Sequence, residues 1–273
     1  MAIGINPPYA ALRALRTATA DAAQASERIS TGLRINSASD DPAGLLRANR
    51  LSVEISGYTQ VKTNVASALT MVEQVDDSLT SIAEILTSMK TLALSAISAS
   101  SDNERAAYQT AFSAYMDDID VIAAATTING DSVLDGTSTS VSIQVGIESG
   151  DTKTLTFWNS SSTGLSINSL DISTSALATA AYAALDTSID TINARITAVG
   201  AYETSLGAVG DVMDNLILNS TADYDNLMSA DLAAEATRLA AAEILQNSSL
   251  AMVAQSNSLN KELVDLLLDS VID

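Results

Sequence analysis

The sequence contains no cysteine and no histidine among its 273 residues. Without cysteine there is no disulfide framework, no thiolate metal ligand and no cysteine nucleophile. Without histidine the commonest general base and metal ligand of proteins is missing. No glycine-rich phosphate loop precedes a lysine, and no nucleophile elbow is present. Acidic pairs such as Asp76–Asp77 and Asp117–Asp118 are more often solvated helix surface than acid–base groups. We therefore predict no catalytic, cofactor-binding or metal-binding residues, and a protein that is not an enzyme.

Aromatic residues, proline and positive charge are also scarce. Aromatics make up 4% of the chain and prolines number 3, while hydrophobic residues reach 47%. The apolar content is therefore mostly aliphatic, which favours seams between helices over a thick globular core. The net charge of −20 argues against nucleic-acid binding, which needs lysine and arginine to neutralise phosphates. No apolar run approaches the roughly 20 residues of a membrane span, so we expect no membrane insertion.

The two ends of the chain differ in charge. Residues 1–50 hold six arginines and four acidic residues, whereas residues 211–273 hold eleven acidic residues against Arg238 and Lys261. The ends could attract each other, or both could be solvated helix faces. The first residues, MAIGINPPYAALRALR, lack the basic segment and apolar core of a signal peptide. If the protein is secreted, we therefore expect a route that removes nothing from its start.

A turn-rich segment, residues 28–46, connects two helical stretches. Gly32 can adopt a positive φ and end a helix. The following residues, up to Asp41, are rich in turn and cap formers, and Pro42 suits the first turn of a helix. Before this segment, a helix is predicted from about Tyr9. Its apolar and small residues recur in steps of three and four: Leu12, Leu15, Thr19, Ala22, Ser26, Ile29 and Leu33.

Long helices follow the connector. The first is predicted from about Pro42 to Ser98 with a ten-residue seam between Val65 and Ala96. A capping box starting at Ser101 predicts a third helix, which ends near the Asn129–Gly130 turn. Helical periodicity resumes near Ser175 and continues to about residue 219. A polar, turn-like stretch is predicted at 219–225. The last helix is predicted from about 229–231 to 268, with a seam formed by Leu245, Ser249, Met252, Ser256, Leu259, Leu263 and Leu266.

A β-hairpin interrupts the helices near residues 139–158. Val141, Ile143 and Val145 alternate with polar residues, and a turn at 148–151 leads to a second alternating stretch. The predicted fold is therefore mainly α: a long antiparallel helical bundle or coiled coil with a small β-hairpin region, and with the N- and C-terminal helices paired. Residues 1–40 with 229–273 are predicted to form a terminal-arm coiled-coil domain, and residues 41–228 a central helical bundle carrying the hairpin.

Residues 26–45, SERISTGLRINSASDDPAGL, resemble the N-terminal signature of bacterial flagellins. Further stretches are similar to flagellin segments in the expected order: residues 127–136, 141–157, 184–212 and 229–268. The resemblance covers nearly the whole chain and implies a short flagellin with the two inner domains and no outer ones. It implies a structural subunit that self-assembles into the flagellar filament for motility.

The resemblance also implies partners and a location. The subunit would pack against itself as a helical homopolymer, alone or with sister flagellins. A flagellar export chaperone, a cap protein and the hook-associated junction protein would be further partners. The type III route would secrete it to the extracellular flagellum. Periodicity alone would also allow a coiled-coil adaptor. The Asn-Pro-Pro start at 6–8 departs from the usual flagellin start, and the Asp-Asp-Pro sequence at 40–42 keeps a hook–filament junction protein as the alternative within the superfamily.

Two sets of residues follow from these arguments. The weak arm seams predict residues that become buried on self-assembly: Leu12, Leu15, Ile29, Leu33, Arg34, Leu245, Met252, Leu259, Leu263 and Leu266. The segment that animal innate immune receptors recognise in many flagellins aligns with residues 86–95 and contains Leu86, Met89, Lys90 and Leu94. Lys90 stands where arginine is typical, and Thr91 where glutamate is typical.

Overall fold

A computed structural model describes the backbone of residues 9–272 and the surroundings of side chains from Tyr9 to Asp265. Over this range the chain forms five α-helices and two small antiparallel sheets. The helices are α1 (Tyr9–Thr31), α2 (Pro42–Ser98), α3 (Asp102–Ala125), α4 (Ser175–Met228) and α5 (Leu232–Ile272). The strands are β1 (Thr127–Ile128), β2 (Asp131–Ser132), β3 (Ser140–Gln144) and β4 (Thr152–Thr156). The predicted mainly helical fold with one principal hairpin is confirmed.

The chain divides into two compact units. One contains the chain ends, up to Val53 and from Ser220, and the other contains residues 54–219. The predicted domains, residues 1–40 with 229–273 and residues 41–228, were inferred from the thin seams and expected pairing of the two end helices. That division stays a prediction.

The helix starts follow from local hydrogen bonding. Asp41 caps α2: its Oδ1 accepts the amide protons of Ala43 at 3.1 Å and Gly44 at 2.9 Å, and Pro42 takes the first helical position. Ser101 caps α3 by accepting from the amide of Glu104. The Glu104 carboxylate accepts from the amide of Ser100, one residue before the amide that a standard capping box uses.

The core of the second unit lies along the predicted seams. All ten seam positions of α2, from Val65 to Ala96, are buried. Phe112 and Ile119 of α3 are fully buried, and α4 contributes six buried residues at seven-residue spacing: Ala178, Leu185, Ile192, Val199, Leu206 and Met213. Each residue is aliphatic or aromatic, so the hydrophobic effect stabilises this unit along its whole length.

The hairpin formed by β3 and β4 is held against α4. Val141 pairs with Leu155 and Ile143 with Lys153, as the alternation predicts. The Tyr202 hydroxyl donates to the carbonyl of Thr156 and accepts from its amide, each at 3.2 Å. The Tyr202 ring meets Phe157 edge-on, with centroids 6.4 Å apart. These contacts fix the hairpin on the helix that follows it in sequence.

The predicted break at residues 219–225 is wrong. The α4 helix continues through this polar stretch to Met228, and the chain bends only between Met228 and Leu232. The stretch contains neither glycine nor proline, so its polar side chains can remain solvated on a continuous helix. Asp231 caps α5 by accepting from the amides of Ala233 and Ala234.

Carboxylates on α2 and α4 form an acidic cluster in the second unit. Burial, followed by repulsion from Asp77, raises the pKa of Asp76. Burial raises the pKa of Glu203, and the charges of Asp76, Glu73 and Asp77 raise it further. A raised carboxyl pKa means that the folded state binds the proton more tightly than the unfolded chain. The cluster therefore destabilises the fold above the raised pKa values, and this cost disappears once the pH falls below the unfolded values near 4.

We expect Asp76→Asn to raise the melting temperature at pH 7 by removing one charge from this cluster. The gain should vanish at pH 3, where the wild-type carboxyl groups are protonated. Thermal unfolding followed by circular dichroism at both pH values measures the difference. Asp190→Asn, an exposed change on α4 outside the cluster, is the control and should change stability little. An equal gain from Asp76→Asn at pH 7 and pH 3 would contradict the electrostatic explanation.

Candidate assembly surface of the terminal helices

Small side chains form the seam between α1 and α5. Ala11, Ala18 and Ala25 are the buried residues of α1, seven residues apart. On α5 the buried residues are again seven apart: Glu235, Ala242 and Ser249. Because these side chains are small, the two helices can lie close together, but little apolar area is removed from water. The predicted pairing of the N- and C-terminal helices is confirmed.

The predicted seam of α1 is partly wrong in register. Leu15, Ala22 and Ile29 are half-buried, whereas Leu12, Thr19 and Ser26 are exposed. Leu12 and its neighbour Ala11 both fit spacing in threes and fours, and the structure buries the smaller residue. The α5 seam runs through Ser249, Ser256 and Leu263, as expected. The other predicted positions, Leu245, Met252 and Leu259, are exposed, and the side chain of Leu266 lies outside the described residues.

Large apolar side chains therefore lie on the outer face of α5. Leu245 is 57% exposed, Met252 62% and Leu259 51%. These three residues are spaced seven apart and so share one face of the helix. Ile244 and Leu250 are also exposed, but each lies on a different side of the helix from these three residues. We call Leu245, Met252 and Leu259 the outer stripe of α5. More than half of each of these side chains is exposed in the monomer.

A buried charge fixes the pairing of the two arm helices near the connector. Glu235 is 5% exposed, and its Oε1 accepts from Arg28 of α1 at 3.2 Å and from Arg238 of α5 at 2.9 Å. A cavity of about 400 Å³ adjoins this ion pair and extends to Leu245. A buried carboxylate that loses its partner is strongly destabilising. The Arg28–Glu235 pair therefore disfavours alternative registers that a seam of alanine and serine would tolerate.

The chain segments that follow α1 and α4 lie side by side. Gly32 ends α1 with a φ of 72°, and its neighbour Leu33 pairs with Ser229 in an antiparallel bridge. The Arg34 amide donates to the carbonyl of Met228 at 2.6 Å, and the Arg34 guanidinium donates to the carbonyl of Leu227 at 2.8 Å. Of the predicted assembly residues here, Leu33 is half-buried and Arg34 is exposed. Both are anchored within the monomer.

The connector also contains a small core that the sequence analysis missed. Ile35, Ala48 and Met228 are buried together, and Leu33, Leu45, Tyr224 and Leu227 pack against them. Its members come from three separate stretches of sequence, so no single periodic pattern reveals it. Asp40 accepts from the amides of Asn36 and Ser37, and these hydrogen bonds lower the pKa of its carboxyl group.

The residues aligned with the immune-receptor segment have different environments. Leu86 and Met89 are fully buried in the second unit. Lys90 forms an ion pair with Asp186 and lies 4.7 Å from the centre of the Tyr182 ring. The hydrogen bond that Lys90 donates to Asp186 raises the pKa of Lys90. Leu94 is 53% exposed. Only Leu94 and part of Lys90 are therefore available on the surface of a monomer.

This chain has no histidine or cysteine, so Asp and Glu are its only residues of the four common metal-ligating types. Among the described residues, no group of three or more of them is placed to hold a metal ion. None of the described helices is long and apolar enough to cross a membrane.

The N-terminal and the C-terminal parts of the chain each match a known protein family. The family described as the bacterial flagellin N-terminal helical region matches residues 5–139. The bacterial flagellin C-terminal helical region matches residues 182–267. The chain belongs to the bacterial flagellin family. The two matched regions contain α1 to α3 and nearly all of α4 and α5, so the paired arm helices and the helical core are both flagellin features.

Individual flagellins match at moderate identity. A flagellin of Listeria innocua is 28% identical over 262 residues, which cover 89% of this chain and 91% of the relative. Flagellin D of Vibrio cholerae is 36% identical over 160 residues, covering 57% of this chain and 42% of the relative. A solved structure from Vibrio parahaemolyticus, provisionally assigned to a flagellar hook-associated protein, covers 70% of the chain with a TM-score of 0.60 and 19% identity. This last likeness concerns the fold alone.

Proposed function

We propose that this flagellin is a structural subunit of a flagellar filament and that the outer stripe of α5 drives its self-assembly. The observation that carries the proposal is the exposure of Leu245, Met252 and Leu259 outside the seam with α1. Exposed apolar patches of this kind mark protein–protein contacts. In a homopolymer the stripe would be covered by the arm helices of neighbouring copies.

Burial of this stripe between subunits would contribute a substantial free energy to assembly. Burying a leucine or methionine side chain fully contributes about 1.5–3 kcal/mol. Three half-exposed side chains would therefore contribute on the order of 2–4 kcal/mol per subunit if neighbouring copies covered them. The contribution recurs at every subunit of a helical array, whereas an isolated monomer gains none of it.

The terminal arm would serve both export and assembly. Its seam of alanine and serine stabilises an isolated pair of helices weakly. We infer that residues 1–40 and 229–273 form the assembly domain and that residues 41–228 form the filament wall. An arm that folds fully only among neighbouring subunits could pass through the type III export channel unfolded. The export chaperone, cap protein and hook-associated junction protein are proposed as partners during these steps.

The proposed role is structural and extracellular. The family consists of filament proteins, and we propose that this member likewise has no enzymatic activity. Sister flagellins are proposed as further partners in a mixed filament. The exposed Leu94 would be the accessible part of an immune-receptor contact, with Lys90 beside it.

Seeded polymerisation tests the proposal directly. Purified protein is mixed with a precipitating salt, with and without short filament fragments, and examined by negative-stain microscopy. Long tubes of uniform width that grow faster with seeds are the expected result. A soluble monomer that only caps filament ends would instead indicate a hook–filament junction protein. Short discrete rods would indicate a coiled-coil adaptor, and either outcome would overturn the filament assignment.

A further inference from the structure

Among the described residues, basic side chains with neither a hydrogen bond nor an ion pair lie only towards the two chain ends. The second unit, residues 54–219, contains 20 acidic and five basic residues. Each of the five basic side chains is engaged within the unit: Lys62, Lys90, Arg105, Lys153 and Arg195. Among described side chains outside this unit, those with neither an ion pair nor a hydrogen bond are Arg13, Arg16, Arg47, Arg50 and Lys261. Copies of so acidic a chain repel one another unless these free cations lie near the carboxylates of a neighbour.

Two of the free arginines belong to an exposed mixed surface at the start of α2. Leu46 is 56% exposed and Val53 is 72% exposed, and Arg50 lies between them on the same helix face. Arg47 is one turn before Arg50 and also exposed. We call these four residues the basic face of α2. Arginine is enriched in protein interfaces, and the exposed aliphatic residues beside it could be covered by a partner.

A complementary surface exists on α3 in the second unit. Val121 is 66% exposed, and Asp117 and Asp118 lie one turn before it on the same face. Neither carboxylate forms a hydrogen bond or an ion pair with a described residue. Ala114 and Ala125 are exposed on the same side, so small residues flank the valine. We call the set of Ala114, Asp117, Asp118, Val121 and Ala125 the acidic face of α3.

We propose that the basic face of α2 in one subunit docks on the acidic face of α3 in a second copy of the chain. Each face combines exposed apolar residues with two charges that lack a partner among the described residues, and the charges of the two faces are opposite in sign. Arg47 and Arg50 would form charge-assisted hydrogen bonds with Asp117 and Asp118, and the leucine and valines would be covered together. This contact rests on the proposed filament function and adds an electrostatic interface to the apolar one on α5.

The acidic cluster of α2 and α4 is the main competing partner. Glu73 and Asp77 are also exposed carboxylates one turn apart, but no exposed large apolar residue accompanies them on α2. Arginine alone could pair there, whereas Leu46 and Val53 would remain in water. The acidic face of α3 could both pair with the arginines and cover the apolar residues of the basic face.

Charge exchange distinguishes these partners. We expect Arg47→Glu/Arg50→Glu to slow seeded polymerisation at least tenfold without changing the melting temperature, since both residues are exposed. Adding Asp117→Arg/Asp118→Arg should restore most of the rate. Adding Glu73→Arg/Asp77→Arg restores the same net charge and should not rescue the double variant. Filament elongation measured by light scattering and microscopy reports all four chains.

The outcomes separate this contact from the filament assignment. If the wild-type chain forms seeded tubes and Arg47→Glu/Arg50→Glu polymerises at the wild-type rate, the contact is wrong and the function stands. Rescue by Glu73→Arg/Asp77→Arg, or failure of Asp117→Arg/Asp118→Arg to rescue, also overturns the proposed pairing. If wild-type protein forms no tubes at all, the filament function itself fails.

Discussion

A chain carrying Leu245→Ser, Met252→Ser and Leu259→Ser is expected to remain a folded monomer that does not grow filaments. The three side chains are more than half exposed in the monomer, so their replacement removes little buried area and should shift the melting temperature by only a degree or two. The same changes remove the apolar stripe that neighbouring subunits would cover. Seeded polymerisation followed by negative-stain microscopy, together with thermal unfolding, measures both effects.

The matched control substitutes the same three residues but keeps each side chain apolar. Leu245→Met, Met252→Leu and Leu259→Met keep the stripe apolar and similar in volume, and this variant should form filaments. Deletion of residues 1–40 or 235–273 is the more severe version and should leave a soluble helical core that cannot polymerise. Filaments of normal width from the serine variant, or from either deletion, would show that the arms do not drive assembly.

The largest effect on stability is expected for Phe112→Ala. Phe112 is fully buried in α3, and truncation of a buried phenylalanine costs about 3–5 kcal/mol because apolar contacts are lost and a cavity remains. A change of this size lowers the melting temperature of a unit of this length by roughly 10 °C. Denaturant unfolding and calorimetry give the free energy and the temperature shift.

Val121→Ala on the same helix is the control for this measurement. Val121 is 66% exposed, so its truncation should cost less than about 0.5 kcal/mol. If Phe112→Ala cost no more than Val121→Ala, the packing described for the second unit would be wrong. A loss for Phe112→Ala alone would confirm that this face of α3 belongs to the core.

The sequence pattern was most informative where apolar residues are large. Between Val65 and Ala96 of α2, the predicted seam contains every buried position. The Asp41–Pro42 and Ser101–Glu104 pairs located two helix starts, since capping depends on neighbouring residues. The alternation around Val141 located the hairpin for the same reason. Local chemistry and periodicity therefore determined the elements and most of the core of the second unit.

The terminal arm was harder to predict because its seam is made of small residues. Ala11 and Leu12 fit a spacing in threes and fours equally well, and Ala242 and Leu245, three residues apart, fit the same seam. Hydrophobicity favours the leucines for the inner face. The structure places alanines there because the backbones approach closely and because the Arg28–Glu235 pair fixes the register. The continuation of α4 through residues 219–228 was missed for a related reason, since polarity alone does not end a helix.

The sequence by itself determined that this chain is a helical flagellin with a hairpin and paired ends. Only the tertiary structure decided which side of each terminal helix remains exposed. That choice depends on contacts between residues more than 200 positions apart, such as Arg28 with Glu235, and it turns Leu245, Met252 and Leu259 outward. The resulting surface is the one that a second copy of the chain can cover.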